Sequence, residues 1–176
     1  MNPSLKLKSL LFLGLTVLLL ACQNKKAMEF KHALDVQERK VTHMLIGKTA
    51  SESRKLEYLI DDDFDRAIAV VNEQHQEFNK AIASVNALDT RNLPKATDLQ
   101  QSKIAYYQSL KNLHVYAGEE IEQQKLIYHA KGKAKDEAQD ELIRLAKAKQ
   151  ALYEKVYQAE ETLYKALAEF DEANGL

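Results

Sequence analysis

Between Leu56 and Val85, apolar side chains recur at steps of three and four: Leu56, Ile60, Phe64, Ile68, Val71, Phe78, Ile82 and Val85, with His75 in the same row. A stripe of this period, sustained for about eight turns, marks an amphipathic helix; a strand would alternate with period two. No other feature narrows the fold as much, because the remaining segments repeat it. Breakers are scarce enough to let such helices run. After residue 21 there is one proline (Pro94) and four glycines (47, 118, 132 and 175), and Ala, Leu, Glu, Lys and Gln dominate. These are strong helix formers, and a β-rich domain would need more turn residues.

The spacing predicts four helices. Phe30, Leu34, Val41 and Leu45 place a first, shorter one over about 25–46, with Gly47 as its C-terminal cap. Thr49 followed by Glu52 reads as a capping box opening a second helix over about 50–88. "DTRNLP" breaks the pattern, with Asn92 as N-cap and Pro94 in the first turn of a third helix over about 93–131. Its stripe is Leu99, Tyr106, Leu110, Leu113, Ala117, Ile121 and Tyr128, and Gly118 sits in its middle. "KGK" around Gly132 turns the chain into a last helix over about 134–173, seamed by Ala138, Leu142, Leu145, Leu152, Val156, Ala159, Leu163, Leu167 and Phe170. Short connections make successive helices antiparallel neighbours. The expected fold is all-α, an elongated up-and-down antiparallel helical bundle of three long helices plus a shorter N-terminal helix. Should the chain not turn at Gly47, the first two helices become one rod.

The chain's one cysteine, Cys22, follows directly on its one long apolar run. Lys6 and Lys8 make a basic start, Leu10 to Ala21 is apolar, and small Ala21 precedes Cys22. This is the layout of an export signal. As a helix the twelve apolar residues reach roughly 18 Å, short of a hydrocarbon core about 30 Å thick. A cut after Ala21 leaves bulky Leu19 where an ordinary cleavage site wants a small residue. Leu19-Leu20-Ala21-Cys22 instead resembles the lipobox of bacterial lipoproteins. That resemblance implies cleavage before Cys22, diacylglycerylation of its thiol and often acylation of its amine. It divides the chain into a signal peptide, 1–21, and one helical-bundle domain, 22–176. It also implies a membrane anchor through Cys22, and Gln23 in place of an Asp after the Cys points to the outer membrane. Two or three acyl chains suffice for stable anchoring, where one does not.

Residues 1–21 hold two lysines and no acids, so the remainder carries 23 basic and 26 acidic residues, a net charge of −3. A balance this even gives no overall footprint for nucleic acid. Catalytic signatures are missing as well. There is no Gly-rich phosphate loop and no Gly-x-Ser-x-Gly elbow, and a lipidated Cys22 is no nucleophile. Asp61, Asp63 and Asp65 alternate like the start of a calcium loop, but Arg66 stands where the loop needs Gly and Asn72 where it needs Glu. The stretch reads instead as a solvated helix face. Glu29 and His32 have the spacing of a di-iron carboxylate bundle, yet no second Glu-x-x-His occurs. Met28, His32, His43 and Met44 offer soft copper ligands on more than one face. Neither set makes a metal site, and no cofactor is expected. Tyr153, Tyr157 and Tyr164 share one face of the last helix, where Tyr107 and Tyr128 can meet them; tyrosine suits contact surfaces.

The expectation is a non-enzymatic envelope lipoprotein, an interaction, scaffold or assembly component with an envelope protein as partner. The alternative is a binding module holding a small apolar ligand or a metal ion between helices. Inward polar groups around a cavity would favour the alternative; a dry core with an exposed Tyr or Leu patch would favour the first.

Overall fold

The computed structural model describes the backbone of residues 3–176 and the side chains of residues 24–176; the side chains of the lipobox and of Cys22 lie outside the described residues. Five helices account for nearly all of it: α1 (Pro3–Leu45), α2 (Ser51–Ile60), α3 (Phe64–Asn86), α4 (Ala96–His129) and α5 (Lys133–Asn174). The fold is all-α, and its helices pack as antiparallel columns. α4 is the centre, with α3 on one side and α5 on the other.

The expected second helix is divided, and the division is where the chain reverses. Asp61 ends α2, Asp62 takes a left-handed conformation at φ 54°, and Asp63 caps α3 by accepting the Arg66 N–H at 3.1 Å. Short acidic side chains tolerate the left-handed region and cap helix N-termini well. "DDD" is therefore a turn rather than a solvated helix face. The break expected at Gly47 also exists, with φ 134°, but it is a kink rather than a reversal. α2 keeps running antiparallel to α3, as the pairs Ser51 with Gln74 and Arg54 with Glu73 show. α1 and α2 thus form one bent column.

Local caps differ from the expected ones. Ala50 precedes α2 without a side-chain bond, and the Ser51 and Ser53 hydroxyls donate to Met44 O and Gly47 O instead. Glu52 points inward, so Thr49 and Glu52 make no capping box. α4 begins at Ala96 rather than Leu93. Asn92 and Lys95 are both left-handed, and Asp89 draws in the Arg91 N–H and guanidinium, so the stretch is a compact turn. Gln100 then donates to Val85 O and Leu88 O, closing the end of α3.

The cores follow the stripes, with a slip in the second. Phe64, Ala67, Val71, Phe78, Ala81 and Val85 are buried on α3, but Gln74 takes the inward place expected for His75, which is exposed. Beyond the kink, α2 buries Ser51 and Lys55 and leaves Leu56 and Ile60 exposed. On α4, Tyr107 is fully buried while Tyr106 is half-buried. The α5 seam is as expected: Ala138, Leu145, Val156, Leu163 and Phe170 are buried.

One end of the bundle is clasped. Phe30 of α1 packs on Phe170 of α5 with ring centroids 5.5 Å apart, and the Lys31 ammonium donates to both oxygens of Asp171 at 2.8 Å. Asn24 Nδ2 donates to Gly175 O at 3.1 Å, and Asn174 Nδ2 to Pro94 O at 3.0 Å. Away from this clasp α1 and α5 part, leaving a cleft floored by α4.

Candidate functional site

Three features outside the apolar core have chemistry to offer. The first is the clasped end. Asn24 is only two residues past Cys22 and already holds the C-terminus of α5. Three lysines follow the cysteine closely, and the third, Lys31, is committed to Asp171. Lys25 pairs loosely with Glu29 at 3.9 Å, and Lys26 is exposed near Asp89, whose carboxyl is held low chiefly by the hydrogen bonds of Arg91.

The second is a polar hub under the kink, where α2, α3 and α4 meet. Glu52 is its centre. Its Oε1 accepts from Gln74 Nε2 at 2.9 Å and lies 2.6 Å from His114 Nδ1, and its Oε2 is 2.7 Å from the Lys55 ammonium. A carboxylate only accepts, so the proton of this bond sits on His114 Nδ1. Burial pushes the Glu52 pKa up, but the hydrogen bonds and charges of His114 and Lys55 outweigh it and hold the group down at about 2. Gln74 also donates to Ser51 Oγ, and the His114 ring stacks on Phe78 at 5.8 Å. Gln74 Oε1 is buried without a partner. The other groups bond to one another, so the hub fixes how α2 sits on α3 and α4. Sequence reasoning missed it because a lone Gln in an apolar row carries no distinguishing signal.

The third is the tyrosine face of α5. Tyr153, Tyr157 and Tyr164 are exposed, the last two by about two thirds (66% and 64%). The partners expected for them are elsewhere. Tyr107 is buried and donates to Glu38 Oε2 at 3.1 Å, and Tyr128 packs on Phe64 with centroids 5.6 Å apart. Tyr106 stands in for them, sharing the α1–α5 cleft with Tyr164.

The residues singled out as possible metal ligands are not assembled. Met28, His32 and His43 are exposed along α1, and Met44 packs against the core. Among the described residues, no three His, Cys, Asp or Glu side chains converge as a metal site requires. Nor is any helix among the described residues long and apolar enough to cross a membrane. No protein-family model matches this chain, and neither the curated proteins nor the solved structures contain a match to it.

Proposed function

We propose that this protein is a lipid-anchored envelope component, tethered through Cys22, that works by holding a contact surface close to the membrane. The observation carrying this reading is the absence of slack between anchor and fold. Asn24 is already bonded into the clasped end, so at about 3.3–3.6 Å per residue the lipid-bearing Cys22 stands no more than ~7 Å of chain away. The clasp, the α3–α4 turn and the end of α5 would therefore rest at the headgroups. From there α5, 42 residues long, extends outward by about 63 Å. The exposed tyrosines on α5 are the surface best suited to a protein partner, since tyrosine joins apolar area to a hydroxyl. The hub favours this role over a ligand-holding one, because most of its inward polar groups are spent on one another.

Mass spectrometry of the membrane fraction tests the anchor. The expected mature N-terminus is Cys22 bearing acyl chains, and Cys22→Ala should release the protein from the membrane. An unmodified Cys22, or a Cys22→Ala protein still firmly bound, overturns the proposal.

A further inference from the structure

The cleft between α1 and α5 has a floor and a rim of opposite character. Leu34, Leu99, Leu163 and Leu167 make the floor, and the volume of this open cleft is about 260 Å³. Asp35 of α1 and Glu160 of α5 line the same opening from opposite helices, and among the described residues neither forms an ion pair. Asp35 and Glu160 thus bring two carboxylates without ion pairs to one mouth. The one cation lining the cleft, Lys103, is spent: its ammonium is bonded to Glu38 and lies 4.9 Å above the Tyr107 ring. The lining therefore has an excess of two negative charges. Burial together with Glu160 and Glu38 pushes the Tyr106 hydroxyl up to about 12, in keeping with a negative potential over the floor. Like charges on α1 and α5 oppose closure of the gap, and a cation placed between them would relieve that repulsion. The exposed ring of Tyr164 offers a further face for a cation.

We propose that this cleft is a binding site for an organic cation: an ammonium or guanidinium held between Asp35 and Glu160, on an apolar body that covers the leucine floor. The inference goes beyond the anchoring role and does not depend on it, since the cleft is complete without lipid. The chemistry is shared by a free amine and by a basic side chain flanked by apolar residues.

The test uses the full chain in zwitterionic phospholipid nanodiscs with ¹³C-labelled leucine methyls. The probe is phenethylammonium, compared with 2-phenylethanol and 3-phenylpropionate. Saturable shifts are expected at Leu34, Leu99, Leu163 and Leu167 with the cation, with Leu145 as an unmoved reference. The alcohol should bind about tenfold more weakly and the anion not at all. Asp35→Asn/Glu160→Gln should weaken the cation about tenfold, the effect of two partly solvated charges, and leave the alcohol unchanged. Leu167→Phe, filling the floor, should abolish saturable binding of the cation. Equal affinity for the three probes, a double variant that binds like the parent, or no saturable shift at the floor leucines overturns the proposal. Synthetic peptides pairing one Lys with one Phe, with the Lys acetylated as control, then separate the sources. Binding tighter than phenethylammonium and lost on acetylation assigns the cleft to a partner's side chain; weaker binding assigns it to a free amine.

Discussion

Glu52→Gln puts the polar hub to a quantitative test. The native carboxylate holds two cationic or proton-donating neighbours and one amide, and the variant keeps the shape while losing the charge. The fall of the Glu52 pKa from 4.5 to about 2 corresponds, at about 1.36 kcal/mol per tenfold, to at most about 3.4 kcal/mol of stability at pH 7. The side chain remains 24% exposed, so water screens part of this. Lys55, only 8% exposed, adds the cost of an ammonium left without its partner. We expect a net loss of about 2–3 kcal/mol in urea unfolding at pH 7. Because the folded pKa lies below the unfolded one, this stability is present above pH 4.5 and drains away as pH falls toward 2. The gap between parent and variant should accordingly shrink by more than half between pH 7 and pH 3. A loss below about 0.5 kcal/mol at pH 7, or a gap that widens in acid, refutes the assignment of Glu52 as the hub's charged centre.

Other perturbations address the packing and the orientation. Gly118→Ala should stabilise by about 1 kcal/mol in the same assay, because an added Cβ meets Val71 Cγ1 at an ordinary 3.6 Å and removes a mid-helix glycine. Phe170→Ala, at a fully buried ring against Phe30, should cost about 3–5 kcal/mol, seen as a lower urea midpoint. A photoreactive phenylalanine analogue at Tyr157 should give one discrete crosslinked species in native envelopes, and the same group at exposed His32 should not; identical smears from both would count against the tyrosine face. A spin label at residue 26 should lie within about 20 Å of labelled headgroups, since at most four extended residues part it from Cys22.

Much of the fold is legible in the sequence because helix packing obeys a single period. The α5 seam and the Phe30, Leu34 and Val41 face needed nothing else. What escaped was set by tertiary competition. The row through Ile60 and Phe64 runs unbroken in sequence, so the reversal at Asp61–Asp63 had to be read from local turn chemistry, and three consecutive acids look equally like a solvated face. Once the chain reverses there, the kink at Gly47 rotates α2 and exposes Leu56 and Ile60, which the stripe had assigned to the core. His75 and Gln74 exchanged places for a related reason: the inward position faces Ser51 and Glu52, and an amide supplies the donors that both oxygens accept. The clasp and the cleft depend on residues up to 151 positions apart, which no local pattern encodes.

That separation also orders events in time. Helices α3, α4 and α5 contact their sequence neighbours, so each hairpin can zip as soon as its two arms exist, with little loop entropy to overcome. The contacts of Asn24 with Gly175 and of Lys31 with Asp171 close loops of 151 and 140 positions. A nascent chain cannot make them until residues 171–175 have followed all the others, so α1 stays undocked from α5 longest. The first helix of the domain is thus the last to be locked to α5.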